Sequence, residues 1–157
     1  MSSLRDWALA LPAHGRFTFS TAEARDATGG SEAALAAALG RAEADRLIAS
    51  PVRGFHVVLP LEDRGVGTPS WQLFLDPLMA HLALPYYVGL LTGASIHGAS
   101  GQAAQVVQVV TARPRRPVRH GRLAIEFVVR SEAATAPVEL RTTPSGRMRV
   151  GTLEVIA

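Results

Sequence analysis

The chain has no cysteine and no lysine among its 157 residues. Without thiols there is no disulfide framework and no thiolate metal site. Without lysine, all 16 basic side chains are planar guanidinium forks suited to bidentate phosphate contact, a bias that a GC-rich genome produces equally well with no functional cause. Long apolar runs are missing too. The longest uncharged stretch, Pro77–Ala112, is broken by His81, Pro85 and His97, so nothing approaches the roughly 18 apolar residues of a membrane span. Met1–Trp7 carries Arg5 and Asp6 with no apolar run behind a basic start, which is not a signal peptide, and the expected location is cytoplasmic. There is no internal repeat, heptad pattern or low-complexity tract.

The signatures of catalysis are also missing. Ser95 and Ser100 flank His97 without an orienting acid or an oxyanion site. Gly98–Gly101 lacks the Lys-Ser/Thr that completes a P-loop, and Gly65–Gly67 lacks the strand and helix of a dinucleotide motif. His14, His56, His81, His97 and His120 are scattered, with no pair at helical spacing, so no metal site is expected. The expectation is a protein that is not an enzyme and needs no cofactor.

What remains is 48% hydrophobic residues, ample for one domain or two small ones. The net charge of +3 is unevenly laid out. Residues 1–64 hold seven arginines against eight acids, residues 65–112 a single acid, and residues 113–157 nine arginines against four acids.

Local signals predict the order of elements. Ser3 caps a helix to about Leu11, ended by Pro12 and Gly15, and Arg16–Phe19 follows as an extended piece. Ser20 stands three residues before Glu23, the spacing of a capping box, so a second helix runs over about Thr21–Ala27. Gly29-Gly30 breaks it, and Ser31 caps a third helix, Glu32 to about Ala44, with Leu35, Ala38, Leu39 and Ala42 as its apolar stripe. Leu47–Ala49 and Phe55–Leu59 read as strands around a tip at Ser50–Gly54. Two helices joined by a Gly-containing turn, followed by a hairpin, make a winged helix-turn-helix.

Leu61–Ser70 has the composition of a connector. Beyond it we expect helices over about Leu75–Ala83 and Tyr86–His97, then strands at Gln105–Ala112, Leu123–Arg130, Val138–Arg141 and Met148–Ile156. The fold class is therefore α+β: a winged helix-turn-helix DNA-binding domain over 1–62, then a small mixed α+β domain over 70–157.

Two places suit nucleic acid. On the third helix, Arg41 alone offers the donor geometry that recognises guanine, among exposed Glu32, Ala33, Ala36, Ala37 and Glu43. Ser31 at its start, Arg16, Arg46 and Arg53 at the wing tip are placed to reach phosphates, although solvated surface arginines would look the same. The second place is a basic loop, Arg113, Arg115, Arg116, Arg119 and Arg122, held extended by Pro114 and Pro117. DNA or RNA phosphates would suit it, and a solvated hairpin tip is the bland alternative.

The stretch Pro85–Val110 carries a resemblance. Tyr86, Tyr87, Val88, Gly89, Leu90 and Leu91 run to His97-Gly98, then Gln102 and Gln105 lead into Val106–Val110. This resembles the central signature of the AbiEi family of antitoxins, transcriptional repressors of type IV toxin–antitoxin systems. It departs at Gly93, where alanine is expected, at Gly101, where histidine is expected, and at Ala104, where proline is usual. The resemblance implies autorepression through the winged helix at inverted repeats of operator DNA. It also implies protection from a nucleotidyltransferase toxin without a stable complex. In that family the chain continues past its last strand into a further helix, so an end at Ala157 marks a short member or a piece of a longer protein, truncated at its C-terminus. The alternative is an RNA-binding or protein-interaction module with a degenerate winged helix.

Overall fold

Capping explains how the N-terminal half begins. The Ser3 hydroxyl accepts the Asp6 amide at 3.1 Å and starts α1 (Leu4–Ala10), which tightens into a 3-10 turn over Leu11–His14. After β1 (Thr18–Ser20), the predicted capping box forms: Ser20 Oγ accepts the Glu23 amide and Glu23 Oε1 accepts the Ser20 amide, each at 3.1 Å. Two of the amides that every helix start leaves unpaired are thereby satisfied at α2 (Thr21–Thr28). Ser31 repeats the device at α3 (Glu32–Ala44), accepting from the Ala34 amide at 3.1 Å.

The structure is a computed structural model that describes residues 3–89 and 106–152. It divides into two compact units, Met1–Phe74 and Leu75–Ala157. The architecture is α+β, as the sequence predicts, and among the described residues no helix is long and apolar enough to cross a membrane.

In the first unit, Leu35, Leu39 and Ala42 of α3 bury against Leu4, Ala8 and Leu11 of the first helical segment. Phe19, Ala24, Leu47, Ile48 and Val58 complete that core, and Trp7 packs edge-on to Phe19 at 5.0 Å. Strands β2 (Ile48–Val52) and β3 (Phe55–Val58) form the expected hairpin, and β1 adds on the far side of β3, giving the order β1-β3-β2. All four residues of β3 are buried, as suits a central strand. The tip is tighter than expected. Strand β2 continues through Pro51 to Val52 after a bulge, leaving Arg53-Gly54 as the turn, with Gly54 at φ +79°. A side chain there would be strained.

The connector is tied down by side-chain bonds. Asp63 Oδ2 accepts the Ser70 amide at 3.3 Å, and Arg46 donates through Nη1 to the Gly65 carbonyl.

Beyond the connector the structure departs from expectation at its first two elements. Helix α4 (Trp71–His81) begins ahead of the predicted start and carries Pro77 in its interior. The helix expected over Tyr86–His97 is corrected at its start, because Tyr86–Val88 is a strand, β4. Its three residues are all buried, and a continuous apolar run does not distinguish an interior strand from a buried helix. Aromatic and β-branched residues favour the strand. His97, Gln102 and Gln105 lie outside the described residues.

Strand β4 sits inside a six-stranded mixed sheet with β5 (Val106–Thr111), β6 (Val118–His120), β7 (Leu123–Val129), β8 (Val138–Thr143) and β9 (Gly146–Gly151). The order is β6-β7-β5-β4-β9-β8, with β5 parallel to β7 and β4 parallel to β9. The register places Val88, Val107, Val109, Ile125, Met148 and Val150 on one face, all buried. Tyr87 and Val110 lie on the other, packed with Ala133 and Ala136 from the turn after β7. Tyr86 and Tyr87 are both buried, on opposite faces of the sheet.

Candidate nucleic-acid interface

Helix α3 and the β2–β3 hairpin carry the first set of candidate residues. Glu32, Ala33, Ala36, Ala37, Arg41 and Glu43 are all exposed, as the apolar stripe requires. At 3.6 residues per turn, Arg41 and Glu43 stand roughly 200° apart around the helix. The structure shows where each flank looks. Glu43 accepts a hydrogen bond from Ser50 in β2, so its flank faces the hairpin. Arg41 lines a groove of about 260 Å³ with Leu4 and Arg5 of α1 and with Asp45, so its flank faces α1. Between the two flanks the outward positions are Ala33, Ala37, Gly40 and Ala44, all exposed and all small.

The remaining candidates of this unit differ in how far they are committed. Arg53 is exposed at the hairpin tip. Ser31 Oγ accepts the Ala34 amide and keeps its own proton to donate. Arg16 Nη2 meets Glu23 Oε2 at 2.5 Å and donates to the Thr18 carbonyl at 3.2 Å. The Arg16 contact has an electrostatic consequence. Burial by itself would push the Glu23 carboxyl up, but bonds from Arg16 and the Ser20 amide outweigh it and hold the carboxyl below the usual range. Arg46, at φ +57°, is turned toward the connector carbonyls.

The second set lies at the edge of the six-stranded sheet. The segment expected as a loop is in part a strand: Val118–His120 pairs antiparallel with β7 and forms the outermost strand, β6. A sheet edge tolerates Pro117 at its start, because no partner needs the missing amide. Arg113, Arg115 and Arg116 lead into β6, Arg119 projects from the face opposite Val118, and Arg122 sits in the two-residue turn to β7. All five are exposed. Thr111 Oγ1 donates to the Arg113 carbonyl at 2.7 Å and fixes where the segment leaves β5.

Sequence reasoning missed two polar clusters. One joins Thr21, His56, Ser50 and Glu43 across four elements of the first unit. The other joins Tyr86 to Asp76 and Arg149 across α4, β4 and β9. Neither has a local signature, since the partners are separated by up to 63 residues.

Comparison with known families places the second unit. Residues 87–157 match the family described as AbiEi antitoxin C-terminal domain. Over that span the chain is similar to this family. No curated protein matches the chain. The structure gives the start of the AbiEi signature a packing reason. A Cβ on Gly89 would stand 3.0 Å from the Tyr87 ring and 3.1 Å from Val110 Cγ2, so the chain passes too close for any side chain without displacement.

Proposed function

We propose that this protein is the antitoxin of a type IV, AbiE-like toxin–antitoxin system. In this reading the winged helix over 1–62 binds inverted repeats in operator DNA and represses the operon, and the AbiEi-type domain over 70–157 counters a nucleotidyltransferase toxin without forming a stable complex with it. The protein itself acts without catalysis. The observation that carries the reading is the pairing of an AbiEi antitoxin domain with a capped α2–turn–α3 unit backed by a hairpin. Arg53 and Ser31 supply phosphate contacts and Arg41 supplies base readout. Arg16 and Arg46 reach DNA only by releasing the bonds they already make.

Titration of the full chain against the DNA upstream of its own gene, at two salt concentrations and beside a scrambled duplex, tests this. Preferential binding of the upstream duplex supports the repressor. Equal affinity for random DNA and RNA removes the operator reading and leaves a second one, nucleic-acid binding along the β6 edge. The observation favouring that second reading is the row of exposed arginines from Arg113 to Arg122, in the part of the chain that holds most of the excess positive charge.

A further inference from the structure

His56 is a buried histidine at the junction of the helices and the hairpin, 5% exposed, with its ring tilted 32° against Phe19 at a centroid distance of 5.0 Å. Its Nε2 lies 2.8 Å from Thr21 Oγ1, on the first residue of α2, and its Nδ1 lies 2.6 Å from Ser50 Oγ in β2. The Ser50 hydroxyl in turn donates to Glu43 Oε1 on α3.

The proton positions follow from counting donors. Ser50 has a single hydroxyl proton, and it goes to the carboxylate, so the contact with His56 must be made by an imidazole N–H on Nδ1. In the neutral ring Nε2 is then an acceptor and takes the proton of Thr21. Every donor in the chain Thr21 to His56 to Ser50 to Glu43 points the same way, ending on the one charged group. Such ordered chains hold their members more firmly than isolated pairs do.

The chain also has a mechanical meaning. It begins on α2, passes through both strands of the hairpin and ends on α3, on the flank that looks toward the hairpin. Thr21 adds a backbone bond, its amide donating to the Gly54 carbonyl at the tip at 3.1 Å. Apolar packing and the β1–β3 pairing set how close the hairpin lies to the helices, and the directional chain ties it to α3 as well.

We infer that His56 is the positioning residue that locks the hairpin to α3, so that Arg53 and the outward face of α3 meet one duplex as a rigid unit. The inference deepens the DNA-binding reading and rests on it for its purpose, while the locking itself is measurable without DNA. Because the chain has no native cysteine, spin labels at Ala36→Cys and Arg53→Cys report the hairpin-to-helix distance specifically in the full protein. The wild-type background gives one narrow distribution. Ser50→Ala, which cuts the chain at a half-buried position with little loss of packing, broadens it, as does His56→Leu where that variant folds. Glu43→Gln, whose amide oxygen still accepts, keeps it narrow. An equally narrow distribution in Ser50→Ala, with circular dichroism unchanged, overturns the inference.

A double-mutant cycle on unlabelled protein then reads the purpose. Arg53→Ala should weaken upstream-DNA binding several-fold in the wild type and less than about twofold in Ser50→Ala. Equal losses in both backgrounds mean that the lock does not serve Arg53, and overturn that part. Absence of any DNA binding by the wild type removes the operator reading, and the spin-label result still decides the lock.

Discussion

Tyr86 donates its hydroxyl proton to Asp76 Oδ1 at 2.7 Å and accepts the Arg149 amide at 3.1 Å, joining α4 to two central strands through one buried oxygen. Burial pushes the Tyr86 hydroxyl pKa well up, and the Asp76 carboxylate adds to this, while the Arg149 amide opposes it. A raised folded pKa means that the folded state keeps a proton that the unfolded chain releases. The resulting stability is complete below the unfolded value of about 10 and is lost as pH climbs through and beyond it. Urea midpoints measured from pH 8 to 11 should therefore fall at the alkaline end in the wild type. Tyr86→Phe should lower stability by about 1–3 kcal/mol at neutral pH, because the half-buried Arg149 and Asp76 lose the hydroxyl that serves an amide and a carboxylate, and should show a shallower alkaline decline.

Gly89→Ala is expected to destabilise the full chain by about 1–3 kcal/mol, the usual cost of forcing a methyl group into a filled site. The new Cβ would press on the Tyr87 ring and on Val110, both buried, so neither can swing into solvent. Thermal unfolding measures it. An unchanged Tm would mean that the signature glycine is not there for packing.

The capping box at α2 gives a prediction of opposite sign in pH. The Glu23 carboxyl is held below its ordinary value, so its contribution is present above the unfolded pKa of about 4.3 and is lost as pH falls. Glu23→Gln retains an acceptor for the Ser20 amide and should unfold with less acid sensitivity than the wild type. Glu23→Ala removes the acceptor and should cost about 0.5–1 kcal/mol at pH 7, the scale of a partly exposed cap.

The contrast between the two halves shows what a sequence makes visible. Ser3, Ser20 and Ser31 announce their helices because a cap and its amides lie within three residues of each other. Strand β4 announces nothing of the kind. Tyr86, Tyr87 and Val88 are buried on both faces, so the alternation that marks a strand is erased, and the partners that make them a strand come from β5 and β9 far along the chain. Val118–His120 hides for a related reason, since a short edge strand between prolines and arginines has the composition of a loop. At the candidate interface, the exposure of Arg41 and Arg53 could be read from patterning. That Glu43 faces the hairpin while Arg41 faces α1 depends on Ser50 and on Leu4 and Arg5, which no periodicity reveals.

The arginines separate the two readings of nucleic-acid binding. If Arg53 contacts a phosphate in the operator complex, Arg53→Ala should reduce the slope of log affinity against log salt by about one unit and weaken all duplexes alike. Arg41→Ala should instead cost about 1–3 kcal/mol on the upstream duplex and little on a scrambled one, because a base contact carries sequence while a phosphate contact does not. Arg16→Ala should change binding least, since its guanidinium already serves Glu23 and the Thr18 carbonyl. Joint replacement of Arg113, Arg115, Arg116, Arg119 and Arg122 by serine should leave discrimination between the two duplexes intact if the winged helix reads the operator. Should that variant lose all binding to DNA and RNA together, the β6 edge is the nucleic-acid surface and the winged helix is a scaffold.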